Sequence, residues 1–319
     1  MNIKFFLRYL ILVAACIAIP LLVTSTYWRS ILVISFIYAI VASSWDLTLG
    51  YAGVFNFAQV ATFGVGSYAA GILCIRGVSP FLSIICAVVI GVIFNGIVAL
   101  PVLRLRGVYV ALITFAAAQI VGSIVLGWTS VTGGGTGLVL IPDLKVTGIN
   151  FNSSEIAFVY LAEISMVVSA IILKRVAGSS LGKSLVAGRE SEDYALSRGI
   201  PLGKNRVLGL LIGAAFASFS GSLFTFYLAS ASPTLFGFGT ATIVLSMVLV
   251  GGAGSIYGPA LAAVLLTAFQ NVRQVASLGP VTFMIIAALI VLILRFLPGG
   301  LWDITTRRRY QRKKKILAT

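Results

Sequence analysis

The chain is a succession of apolar stretches, most of them long enough to cross a bilayer, separated by short polar interruptions. Runs of about 18 or more mostly apolar residues are read as spanning helices. Seven segments have that length, at residues 5–23, 31–49, 57–75, 81–100, 108–127, 155–173 and 207–229, and three shorter apolar ones, at 236–250, 257–271 and 281–297, bring the expected spans to ten. Breaks and interface residues punctuate them: Tyr27 and Trp28 before the second, Gly50, Tyr51, Ala52 and Gly53 after it, Pro101 at the end of the fourth, and Trp128 after the fifth. The eighth is short and stops at Gly251, Gly252, Ala253 and Gly254. Two polar interruptions are long. Residues 129–154 are rich in Gly, Thr and Asn, and three consecutive glycines, Gly133 to Gly135, predict an irregular loop. Residues 174–206 hold seven of the 23 basic residues and three of the eight acids, with five predicted spans on either side.

Within that second interruption the signals predict a short helix over 191–198. Ser191 can cap it, Glu192 and Asp193 favour the positive end of the helix dipole, and Arg198 sits in the last turn. Gly199 stops it, with Pro201 just beyond. Tyr194, Ala195 and Leu196 give it an apolar patch. Two turns of water-facing helix are unstable alone, so docking into a partner groove is a physically reasonable use. The segment running Gly178, Ser179, Ser180, Leu181, Gly182, Lys183, Ser184 has a phosphate-loop flavour, but the spacing between its glycines is wrong and it follows a membrane helix instead of a strand. In the seventh span, Gly209, Gly213, Ala217 and Gly221 recur every four residues and form a face on which another helix can pack closely.

Composition agrees with the pattern. With 59% hydrophobic and 10% charged residues and a mean hydropathy of +1.08, the chain lies far from soluble domains, which are about a quarter charged. The net charge of +15 comes from loops and a tail carrying Arg307, Arg308, Arg309, Arg312, Lys313, Lys314 and Lys315. That distribution fits the excess of Lys and Arg on the cytoplasmic side and excludes a water-exposed phosphate-tracking face. It sets both termini, the 174–206 segment, Arg104 and Arg106 inside, and Arg29, Arg76, Lys145 and Arg273 outside. Lys4 and Arg8 resemble the start of a signal peptide, yet apolar sequence continues past Cys16 into further spans. Cys16, Cys74 and Cys86 all lie in apolar runs, without disulfide or zinc spacing. The absence of histidine removes the commonest general base and metal ligand, and no nucleophile–base pair points to an enzyme.

The chain is therefore expected to be an all-α polytopic membrane protein of about ten transmembrane helices in a single domain. Its halves are 1–152 and 153–306, with a cytoplasmic coupling segment at 174–206 and a basic tail at 307–319. Five spans per half is an odd number, so a duplicated half inserts upside down, as in transporters built from inverted repeats with sites on broken helices near the midplane. The matching Gly-interrupted segments are 54–59, leading into Gly64, Gly66 and Ser67, and 235–238, leading into Gly251 and Gly252. Together with Gln119 they give a candidate translocation path: Asn56, Gln59, Gly64, Gly66, Ser67, Gln119, Phe238, Gly251 and Gly252. Ionisable groups in the membrane are functional hypotheses by default. They are Glu163 and Asp46, with Arg295 placed to snorkel, and Asn95 adds an uncharged polar group.

Several blocks in order resemble a known family: LGYAGVFNFAQVATFGVGSYAAG at 49–71, LRLRGVYVALITFAAAQIV at 103–121, WTSVTGGGTGL at 128–138, LGKSLVAGRESEDYALSRGI at 181–200, VLVGGAGSIYGPALAAVLL at 248–266 and RFLPGGLW at 295–302. The chain looks like a permease subunit of bacterial ABC importers of the branched-chain amino acid class, and most closely the LivM type. The resemblance implies that the 174–206 segment is gripped by a cytoplasmic ATPase, through Arg189, Glu190, Glu192, Asp193, Tyr194, Ala195 and Gly199. The importer pattern, E-A-A followed by Gly, falls on Asp193, Tyr194, Ala195 and Gly199, with Asp for Glu and Tyr for the middle Ala. It implies partners: a sister LivH-type permease, two ATP-binding cassette ATPases, and a periplasmic solute-binding protein. It also implies an inner-membrane location, alternating access, and no cofactor on this chain, since ATP and magnesium sit on the ATPases. Urea, short amides and other amino acids are further solutes of the class. A gradient-driven carrier or channel is the alternative from another class, and it would lean on Glu163 and Asp46.

Overall fold

The computed structural model describes residues 25–105, 107–146, 149–153, 155–271, 295 and 300–302. The expected first span, the basic tail and most of the expected tenth span lie outside them. Ten helices are labelled here: α1 Thr26–Asp46, α2 Ala58–Ile75, α3 Pro80–Val102, α4 Val108–Gly127, α5 Glu155–Gly178, α6 Ser180–Glu190, α7 Glu192–Ser197, α8 Leu202–Leu228, α9 Phe238–Gly251 and α10 Tyr257–Gln270. Among the described residues, six helices are long and apolar enough to cross a membrane, the first being α1 with its extension to Tyr51; α9 and α10 are shorter apolar helices.

The boundaries follow local chemistry. α4 runs from Gly107, whose φ of +59 ends the preceding turn, to Gly127. α3 opens with Pro80, whose fixed φ suits a first helical turn, and carries Pro101 in its last turn. α1 does not stop at residue 49. It continues as one π-helical turn, Leu47–Tyr51, with all five residues buried. The polar interruption is largely helical: α5 runs on to Gly178, α8 begins at Leu202, and α6 and α7 fill the space between. α6 was not legible as a helix, because its Gly and Ser content hides a buried face of Gly182, Leu185 and Gly188.

α8 crosses the middle of the bundle, against α2 and α3 on one side and α1 on another, while α1 lies chiefly against α5 and α10. Close approach is made by missing side chains. A Cβ on Gly221 would overlap the carbonyl of Phe63, and one on Gly66 would overlap the backbone of Ser218. Gly213 lies against Ser44 and Gln59, and Gly209 against Leu185 of α6. Since lipid gives no hydrophobic drive between helices, such contacts and interhelical hydrogen bonds hold the bundle. Ser220 Oγ donates to the Ile37 carbonyl at 2.6 Å, Ser218 Oγ to the Ala87 carbonyl at 2.7 Å, and Asn95 Nδ2 to Thr62 Oγ1 at 2.9 Å. α3 and α4 turn large apolar side chains outward, among them Ile93, Ile97, Leu100, Leu112 and Ile120, as a lipid-facing surface requires.

At the end of the bundle away from α6 and α7, the described residues of the 129–153 segment are more ordered than three glycines suggest. Lys145–Val146 pairs antiparallel with Ile149–Asn150, and Leu138 pairs with Ala231. Asn152 Nδ2 donates to the Phe226 carbonyl at 2.9 Å, tying this segment to the end of α8.

Candidate functional site: the coupling segment and the helix breaks beneath it

α7 is built as its sequence signals predict. Ser191 Oγ accepts from the Tyr194 amide at 3.4 Å, and Gly199 takes a φ of +74, a conformation that costs glycine little. Ala195 is buried against the protein, while Tyr194 and Leu196 are 63% and 50% exposed. Asp193, Arg198 and Gly199 are exposed on the same short element, and the Arg198 guanidinium lies 5.9 Å from the Tyr194 ring centroid. Glu192 is committed inside the chain: it meets Arg206 at 3.2 Å. The exposed face of α7 is therefore aromatic and apolar at its centre with charge around it. Glu190 is exposed at the end of α6.

α6 fastens α7 to the spans. Gly182 packs against the Ala177 backbone and Gly188 against Leu202, and Asn205 Nδ2 donates to Ser184 Oγ at 2.5 Å. Gly182, Lys183 and Ser184, the tail of the phosphate-loop lookalike, lie in the first turns of this helix. Arg189, exposed at the end of α6, reaches the break after α1. Its Nη1 donates to the Gly50 carbonyl in the π-helical turn, and its stem lies over Gly53.

Beneath Arg189 two helix breaks meet. Asp46, at the end of α1, is fully buried. Its Oδ1 accepts from the Gly254 amide at 2.6 Å and its Oδ2 from the Ile256 amide at 2.8 Å, so the carboxylate closes the turn between α9 and α10. That turn needs glycine, with φ of +99 at Gly252 and +92 at Gly254. A Cβ on Gly251 would overlap the Gly258 backbone. Ser43 Oγ adds a bond to the Ile256 carbonyl at 3.0 Å. Lys174 Nζ donates to Tyr51 Oη at 3.3 Å and lies 5.9 Å from the Tyr257 ring centroid. Both oxygens of Asp46 thus serve the fold. Glu163 is buried within α5, at 3% exposure.

The residues expected to mark a path fall into two groups. Asn56, Gln59 and Ser67 are buried, and their side chains bond within the bundle: Asn56 Oδ1 accepts from the Ala58 amide at 3.1 Å, Gln59 Nε2 donates to Ser44 Oγ at 2.9 Å, and the Ser67 hydroxyl pairs with that of Thr225. Gly64 makes room for the Phe236 ring and Gly66 for Ser218. Gln119 and Phe238 instead lie on the outer surface of the bundle. They are neighbours there: Gln119 Nε2 approaches the Phe236 carbonyl at 3.5 Å, and the Phe238 ring meets Phe115 edge-on at 5.8 Å.

A bundle of apolar helices, six of them among the described residues long enough to cross a bilayer, with a capped polar element standing on one end, is the architecture of a multi-pass membrane protein. A profile of the family described as "Branched-chain amino acid transport system / permease component" matches residues 27–294, and the chain belongs to that family. It is 28% identical over 325 residues to the high-affinity branched-chain amino acid transport system permease protein LivM of Salmonella typhimurium, covering 95% of this chain and 75% of that protein. The LivM protein of Escherichia coli gives the same identity and coverage. The probable branched-chain amino acid transport permease protein LivM of Methanocaldococcus jannaschii is 25% identical over 315 residues, covering 83% of this chain and 90% of that protein. No solved structure matches the chain.

Proposed function

We propose that this chain is a transmembrane subunit of an ABC importer for branched-chain amino acids, driven by ATP hydrolysis in partner chains. The observation that carries the reading is α7: a capped two-turn helix whose Tyr194 and Leu196 stand exposed while Ala195 and the Glu192–Arg206 ion pair fix it to the membrane helices. An exposed apolar pair on a rigid polar element suits the groove of a partner protein. Family membership supports an ATP-binding cassette chain as that partner, docked on the cytoplasmic face of the bacterial inner membrane. The lysine and arginine distribution supports termini on that side.

The path is assigned to the outer face that carries Gln119, Phe115 and Phe238, completed by a sister permease subunit, with solute delivered by a binding protein. The packing supports an inverted repeat: α8 lies against α2 and α3, the pair that follows α1, while α1 lies against α10 and, less extensively, α9, the pair that follows α8, so each long helix packs on the pair belonging to the other. Branched-chain amino acids are the substrate class because the named relatives are permeases for them.

The test is the purified complex carrying Tyr194→Ala with Leu196→Ala, or Asp193→Lys. The chain should insert normally, while ATPase co-purification or solute import should fall about tenfold, as for loss of central interface residues. Variants that keep the ATPase and import at wild-type rates would overturn the docking assignment.

A further inference from the structure

Arg189 sits in the segment expected to contact a partner, and although the residue is exposed its guanidinium is bonded to the Gly50 carbonyl. That carbonyl belongs to the π-helical turn ending α1, where helix carbonyls lack partners within the helix and the dipole is negative. A cation donated from another element is a cap for such an end. The fit is tight on the side facing the bundle. Gly53, at φ +69, leaves space for the arginine stem, and a Cβ there would fall 2.7 Å from Arg189 Cγ. Gly50 in turn lies against the Gly254 amide and the Asp46 carboxylate, with no space for a Cβ. Asp46 then holds Gly254 and Ile256 at 2.6 and 2.8 Å. A continuous set of contacts thus runs from α6, through the break after α1, to the break between α9 and α10: a hydrogen bond from Arg189 to Gly50, close packing of Gly50 on Gly254 and Asp46, and the Asp46 hydrogen bonds. π-helical turns inside α-helices are frequent at functional sites.

We propose that Arg189 is a positioning residue for transport, which carries movement of the α6–α7 segment into both helix breaks and does not itself bind the ATPase. Asp46 makes the two breaks move together. The inference rests on the reading of the chain as an ATP-driven permease, and the experiment separates the two.

The whole transporter is purified with wild-type chain, Arg189→Met or Arg189→Lys, and solute import per ATP hydrolysed is measured in proteoliposomes, with membrane abundance and ATPase co-purification as controls. Arg189→Met keeps the length and loses the donor. It should retain the ATPase and its hydrolysis while import per ATP falls at least about tenfold, the scale of one charge-assisted hydrogen bond. Arg189→Lys, which keeps charge and donor, should recover most of that loss. Unchanged import per ATP in Arg189→Met overturns the inference, and so does loss of the ATPase from that complex, which would make Arg189 a docking residue. Disappearance of both variants from the membrane would make it a folding residue and overturns it equally. A wild-type complex without any ATPase would instead defeat the underlying reading, and the inference with it.

Discussion

At the scale of single residues, this protein is held together by what its glycines omit and by what its small polar side chains reach. Gly221 admits the Phe63 carbonyl where a Cβ would sit, and the flanking Ser220 reaches Ile37. Gly221→Val should therefore force α2 and α8 apart and cost about 1–3 kcal/mol, as overpacking does elsewhere. Thermal denaturation of the detergent-solubilised protein checks it, and an unchanged midpoint would show that the helices have slack. Burial also separates the polar residues of the broken segments. Gln59 is fully buried and bonded to Ser44, whereas Gln119 is exposed on the outer face. Gln119→Cys should react with a water-soluble thiol reagent in the assembled transporter and Gln59→Cys should not. The reverse order would move the path into the interior of the bundle.

At the scale of elements, the helix breaks matter more than the helices. Asp46 replaces a missing run of backbone bonds across the turn between α9 and α10, and that turn carries a non-glycine residue, Ile256, at φ +57. Asp46→Ala leaves one buried and one partly buried amide unpaired and should destabilise the fold by about 2 kcal/mol or more. Asp46→Asn, which keeps one acceptor oxygen, should lose less. Faster proteolysis at the turn in the alanine variant would report it, and equal resistance would contradict the role given to the carboxylate. These breaks were only half legible in the sequence. Gly251, Gly252 and Gly254 announce a stop because glycine clusters do so anywhere, but Leu47, Thr48 and Leu49 are apolar and helix-compatible, so nothing local betrays the widened turn. The bond from Asp46 spans some two hundred positions of sequence, and periodicity carries no information about it. α6 was not expected for a related reason: Gly182 and Gly188 add nothing to an apolar periodicity, and only the neighbours they touch make them helix-packing positions. α7 was legible to within a residue, because its cap, acidic first turn and glycine stop all act locally.

At the scale of the whole molecule, lipid simplifies the reading. Backbone groups must be satisfied within each span, so helix type and limits follow from apolar length, as α4 shows by occupying residues 108–127 as expected. Which helices touch does not follow, because lipid-facing and buried faces are equally apolar. The small-residue face of α8 pointed to a close neighbour but could not name α2. The central claim of the proposed function is a permease subunit that receives the work of ATP hydrolysis through α7. The most direct test is the initial rate of leucine uptake by the purified complex in proteoliposomes, with ATP supplied at the face bearing α7, or with an imposed ion gradient in its place. The account predicts uptake that requires ATP, is indifferent to collapse of the gradient, and is competed by isoleucine and valine but not by urea or acetamide. Uptake by this chain without ATPase partners, driven by the gradient alone, would contradict it.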